Sequence, residues 1–181
     1  MTEAKQILDV WHYDGLLVDP YNSLIKDPAL LRSVGGHEYD YQIASEMRLF
    51  CKENNVTLWL NAHAVTEALR RKHPSGHEFE GLPQPCGMAD TEGGGKWGNR
   101  ADDVISIHRY TQHPTRWMVS DIHVVKVKET ETGGRPTGMD TPISLRMQAG
   151  NVAFTVAGKD VIDHSKVATM KVPNINPKLA F

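Results

Sequence analysis

Cysteine is scarce. Cys51 and Cys86 are the only two in 181 residues, too few for a disulfide scaffold, so a reducing compartment is expected. No apolar run reaches the length of a membrane span. The first nine residues carry Glu3 and Asp9 and no apolar stretch, so they do not read as a secretory signal. Together these absences point to the cytosol. Positive charge is not in surplus either. The formal net charge is -2, which argues against a strongly basic nucleic-acid module while leaving room for local basic loops. The phosphate-binding pattern Gly-x-x-x-x-Gly-Lys-Ser/Thr occurs nowhere; Lys96 follows three glycines but precedes Trp97.

What is present is ordinary for a folded chain. Apolar residues make up 40% and charged residues 23%, and the length suits one domain with a sizeable core. Residues 2–13 read as a short helix with Thr2 as its N-cap and Ile7, Leu8 and Trp11 on one face. Gly15-Leu16-Leu17-Val18-Asp19 is an apolar run ending in an acid, the pattern of a strand buried on both faces. Pro20 stops it. Residues 21–39, with Gly35-Gly36, read as a loop holding one helical turn. Residues 41–54 form the strongest helix, with Ile43, Met47, Phe50 and Cys51 on its inner face. A second buried strand spans 56–63, which completes a strand–helix–strand unit.

Beyond it the pattern thins. Residues 64–72 suit a short helix. The Gly- and Pro-rich stretch 73–98 is long enough to be functional or mobile. Strands are expected at 104–108 and 118–128, and a hairpin at 143–147 and 152–156. The domain is expected to cover 1–157, leaving 158–181 as a disordered tail.

Four features carry chemistry. Asp19 sits at the carboxyl end of a strand, the edge where open α/β sheets bind ligands; an acid there can hold a nucleotide's magnesium, or simply terminate the strand. His63 ends the next strand, Leu60-Asn61-Ala62-His63. If the two strands are neighbours it shares that edge and can contact a terminal phosphate; otherwise it caps the following helix. The run Gly93-Gly94-Gly95-Lys96-Trp97-Gly98 reads as a turn feeding a short helix and then a strand. Lys126 and Lys128 alternate on one strand and so share a face, where they reach a neighbouring phosphate or line a solvated edge.

In this order the four features resemble the RecA-like core of DnaB-type hexameric replicative helicases, with phage primase-helicases and the mitochondrial replicative helicase the nearest in look. The resemblance covers about residues 15–156, including Ala101-Asp102-Asp103-Val104-Ile105-Ser106-Ile107. It implies an α/β fold: a RecA-like P-loop NTPase core, incomplete at its N-terminal side, with a mostly parallel sheet and a C-terminal β-hairpin. It implies ATP, or another NTP, with Mg2+ held by Asp19, and His63 as the γ-phosphate sensor. Lys126 and Lys128 would act on a neighbouring subunit's nucleotide. The family has arginine at the second of these positions, so Arg135 is an alternative finger, because lysine cannot make the bidentate fork. Hexameric rings on single-stranded DNA follow, with residues 23–37, 64–92 and 110–116 as channel loops. Arg70, Arg71 and Lys72 would meet the phosphate backbone; equally, they suit a solvated helix end.

The phosphate-binding loop and the catalytic glutamate of that family have no counterpart in the sequence, so the chain alone is not expected to hydrolyse ATP. A fragment, one half of a split helicase, or a degenerate paralogue would each fit. Two other classes stay open. One is a non-catalytic module that binds nucleic acid or helicase subunits. The other is a metal-dependent hydrolase using His73, His77, Cys86 and Asp90, although their spacing is looser than that of zinc sites.

Overall fold

The computed structural model describes residues 1–138, 140–148 and 153–162, without the side chain of residue 37. Its first part is a helix, α1 (Thr2–Val10), then β1 (Gly15–Val18), a 3-10 turn (Tyr21–Ser23), α2 (Pro28–Asn54) and β2 (Thr57–Leu60). Strands β1 and β2 pair in parallel, with Leu17 opposite Trp59 and Val18 opposite Leu60. The antiparallel part follows α3 (Thr66–Arg70), a 3-10 turn (Met88–Asp90) and α4 (Gly95–Arg100). It comprises β3 (Asp103–His108), β4 (Val119–Val127), β5 (Ile143–Met147), β6 (Phe154–Val156) and β7 (Lys159–Asp160), hydrogen-bonded in sequence order, with α5 (Thr130–Gly133) between β4 and β5.

Among the described residues, parallel strand pairing is therefore confined to β1 and β2, and the expectation of a mostly parallel sheet is corrected. Connection length decides this. The β1–β2 link carries a 27-residue helical span, kinked at Gly35, long enough for a parallel crossover. The later strands are joined by links that only need to reverse the chain. The hairpin expected at the C-terminal end is present as β5 and β6, although its turn lies outside the described residues. The sheet also runs two residues into the range expected as tail, since Lys159 pairs with Val156 and Asp160 with Thr155; residues 163–181 lie outside the described residues.

Helix α2 starts well before the expected position. Asp27 caps it, accepting from the Ala29 and Leu30 N–H groups at 2.7 and 3.2 Å, and Pro28 occupies the first turn. Gly35, at φ 77° and ψ 161°, is non-helical and divides the span into two helical segments across a kink. Asn55 closes it in the left-handed conformation, φ 52°. Helix α1 is shorter than expected and is capped by Met1 without a side-chain bond, so Thr2 does not cap it.

The core lies on one side of β1 and β2. Tyr21, Ala44, Met47 and Trp97 pack together, with Ile43, Leu58 and Leu60 against them. Alternate residues point away: Leu17 is 64% and Trp59 57% exposed. The expectation that both strands are buried on both faces is thus corrected, because α2 covers one face and no described residues form a second layer on the other. No helix among the described residues is long and apolar enough to cross a membrane.

Candidate functional site

Parallel pairing brings the carboxyl ends of β1 and β2 together, with Asp19 directly after β1; β2 ends at Leu60, short of the expected 63, so His63 follows that edge three residues beyond the strand. The junction is tightly knit by backbone. Asn61 N–H donates to Val18 O at 2.9 Å, and Tyr21 N–H donates to Asn61 O at 2.9 Å. The Asn61 amide donates to Asp19 Oδ1 at 2.5 Å. That bond fixes one carboxylate oxygen and leaves the other open on an exposed side chain. A cation needs such an oxygen, and the hard carboxylate donor suits magnesium.

His63 is held by its backbone. Its N–H donates to Asn22 Oδ1 at 3.4 Å and its carbonyl accepts from Glu92 N–H at 3.0 Å. Asn22 Nδ2 also donates to Glu92 Oε2. The imidazole itself makes no hydrogen bond among the described residues, so it is fixed at its root and free at its tip.

Behind this edge Asp40 gathers three elements. It accepts from Tyr21 Oη at 2.9 Å and Lys26 Nζ at 2.8 Å, and Lys96 Nζ lies 3.6 Å away. Burial works to raise its pKa, but the bonds from Lys26 and Tyr21 and the charges of Lys26 and Lys96 outweigh it, so the carboxyl is held below its usual range. Burial and the same carboxylate push the Tyr21 phenol up, so it stays a donor. Trp97 packs edge-on against Tyr21 at 4.4 Å and donates Nε1–H to Glu92 O at 3.0 Å. The glycine run thus does feed a short helix, and Lys96 ends against Asp40.

Lys126 on β4 and Lys128 just beyond it are both engaged within the chain. Lys126 Nζ donates to Gly98 O at 2.8 Å and Ala101 O at 2.7 Å, closing the carbonyl end of α4. Lys128 Nζ lies 3.0 Å from Asp102 Oδ1, which Arg48 also contacts at 3.0 Å. A register shift between Val104 and Ile105 falls opposite this stretch of β4. Arg135 is exposed and has no side-chain partner among the described residues. Replacing Lys126 with Met is expected to lower stability by about 2 kcal/mol, since bonds from a charged donor to carbonyls are lost. Urea denaturation checks it, and an unchanged midpoint would leave Lys126 free for another partner.

The basic cluster is partly neutralised. Arg70 pairs with Glu67 at 3.2 Å and Arg71 pairs with Asp90, whereas the Lys72 side chain is exposed and unpaired among the described residues. Of the three expected channel segments, 23–37 is mostly helix from Pro28 on, leaving a short link with Ile25 97% exposed. Segment 64–92 holds α3 and a loop, and 110–116 begins with buried Tyr110 and ends with Arg116 bound to Asp121. His73, His77, Cys86 and Asp90 do not form a metal site: no group of three or more His, Cys, Asp or Glu among the described residues could hold an ion. Asp90 is taken by Arg71 and by Gly87 N–H.

Asn61, Asn22, Glu92 and Asp40 did not stand out in the sequence. Asn61 alone carried a signal: it precedes His63 by two residues at a strand end opposite Asp19.

No family model matches the chain, and no curated protein matches it. Among solved structures it is similar to the ATPase domain of a DnaB-like helicase, with a TM-score of 0.55 at 12% identity. The match covers 81% of this chain and 46% of that one, so the chain spans about half the length of that neighbour. The likeness establishes the fold alone, a DnaB-like RecA fold.

Proposed function

We propose that the chain supplies the metal- and phosphate-facing edge of a RecA-like ATPase that drives a DNA helicase. The observation that supports this reading is the parallel pairing of β1 with β2, whose carboxyl ends lead directly into Asp19 and, three residues beyond the last pair, into His63. Asp19 would hold the Mg2+ of ATP, which supplies positive charge against the phosphates. Asn61 orients that carboxylate. His63, with its backbone tied to Asn22 and Glu92 and its ring free, would contact the γ-phosphate and pass its presence to the loop that follows.

A phosphate cradle is still required, and the 181 residues contain no Gly-x-x-x-x-Gly-Lys-Ser/Thr pattern. It would come from another polypeptide segment in the native assembly, a hexameric ring in this reading. Lys128 or Arg135 would face the neighbour's nucleotide. Arg135 is the stronger candidate because its guanidinium is unpaired among the described residues. Single-stranded DNA would meet the 64–92 segment through Lys72 and, once their acidic partners are displaced, Arg70 and Arg71.

One observation favours a non-catalytic assembly module instead. Lys126, which the helicase resemblance assigns to the neighbour's nucleotide, closes α4 within its own chain. The readings separate on His63→Ala in the native assembly. As a sensor, its loss abolishes the stimulation of ATP hydrolysis by single-stranded DNA; stimulation at the wild-type level contradicts the helicase reading.

A further inference from the structure

We propose that the loop 73–83 is held on the β3–β4 hairpin by a latch of neutral histidines, and that acidification releases it. The loop is closed by its own backbone: His73 N–H donates to Leu82 O at 2.9 Å and Gly81 N–H to His73 O at 3.1 Å. What attaches it to the sheet is aromatic. The Phe79 and Tyr110 rings stack at 3.8 Å and 7°, and Phe79 meets His113 edge-on at 5.4 Å. His73 Nε2 lies 2.9 Å from Tyr110 Oη, and the His73 and His77 rings stack at 4.1 Å. His108 packs edge-on against Tyr110 at 4.5 Å, and His123 stands on β4 opposite Ser106, in the same hairpin. Five of the nine histidines thus gather at one junction.

Three features make the junction intolerant of positive charge. The Nε2 atoms of His108 and His123 are buried without a partner, so an imidazolium there would bury an unpaired N–H. Stacked His73 and His77 cannot both be charged without repulsion. Arg116 already lies 5.7 Å over the Phe79 ring. The acids that face the cluster do not offset this. Asp121 on β4 is fully taken by Arg116, at 2.8 and 2.9 Å, and by Ser144 at 2.6 Å. Glu80 accepts from Ser75 and Gly76, while Glu78 and Asp140 are exposed at the rim.

The titration runs the same way. Burial lowers His73, His108 and His123; His77 adds to this for His73, and His123 and His73 for His108, against weaker upward pulls from Asp140 on His73, from Asp121 on His108 and His123, and from the Pro83 carbonyl hydrogen-bonded to His108. Burial pushes Tyr110 up to about 12, so it does not titrate in this range. A histidine whose docked pKa lies below its free value binds fewer protons when docked. The latch is therefore fully closed above the free value near 6.5 and weakens as pH falls through it, by roughly tenfold per histidine for each unit until the docked pKa is reached.

Hydrogen exchange of the full chain, corrected for the intrinsic pH dependence of the rates, tests this without nucleotide or DNA. Its outcome is therefore independent of the helicase reading. Between about pH 7.5 and about pH 5.5, amides 73–83 are expected to lose protection by roughly tenfold or more, while α2 amides around Met47 keep theirs. In His108→Phe the loss shrinks, because the ring packs but cannot titrate. Should that variant fail to fold, the histidine ring resonances of the wild-type chain decide: the proposal requires His73, His108 and His123 to titrate below the free value. Equal protection of 73–83 at both pH values, loss spread through α2, or titration at or above the free value would each overturn it.

Discussion

Replacing Asp121 with Ala lowers the stability of the chain by about 3 kcal/mol, read as a shift in urea midpoint at constant slope. Its side chain is 2% exposed and the largest group buried so completely among the described residues. One guanidinium nitrogen of Arg116 donates to both carboxylate oxygens, and Ser144 Oγ donates at 2.6 Å. Arg116 Nε is buried with no partner, so this guanidinium depends on Asp121. Breaking a buried pair from one side costs about 3–5 kcal/mol because the other charge stays behind. Arg116 is 29% exposed, and water reaching it places the expected loss at the lower end. Against a total stability of about 5–15 kcal/mol that is a large share. Asp121→Asn is expected to lose less, since it keeps an acceptor for Arg116 and for Ser144. A loss under about 1 kcal/mol for the alanine variant would show that the pair is solvated as surface pairs are.

The sequence revealed the edge better than it revealed the sheet. Apolar runs leading to Asp19 and His63 are local patterns, and both strands form within them, although β2 stops at Leu60, three residues before His63. The inner face of residues 41–54 was equally legible, because Met47 and Phe50 recur at helical spacing and are buried. Residues 21–39 read as loop on the strength of Gly35-Gly36; Gly35 does interrupt the helical run, at φ 77° and ψ 161°, but helix forms on both sides of it from Pro28 on. Whether a strand is covered on one face or two depends on the layers that pack on it. Leu17 and Trp59, apolar and exposed, show how far hydropathy alone overreads burial. The engagement of Lys126 was not legible at all, since it depends on where α4 ends relative to β4. Asp40 was hidden for a similar reason: its partners Tyr21, Lys26 and Lys96 come from three separate elements.

The second large effect concerns Asp19. In the native assembly, Asp19→Asn is expected to lower ATP hydrolysis about a hundredfold or more. A metal held against the phosphates contributes several kcal/mol, and each 1.36 kcal/mol is about a factor of ten in rate. The amide preserves the shape of the side chain, and its oxygen can still accept from Asn61, so folding is unaffected: an exposed substitution of this kind changes stability by about 0.5 kcal/mol or less.

The most direct test is the rate of ATP hydrolysis by the assembly isolated from native cells through the tagged chain, wild type beside Asp19→Asn. A wild-type assembly that hydrolyses ATP, and a variant assembly of the same composition at least about a hundredfold slower, is the predicted result. A variant assembly that hydrolyses ATP at the wild-type rate would contradict the placing of Asp19 at the metal.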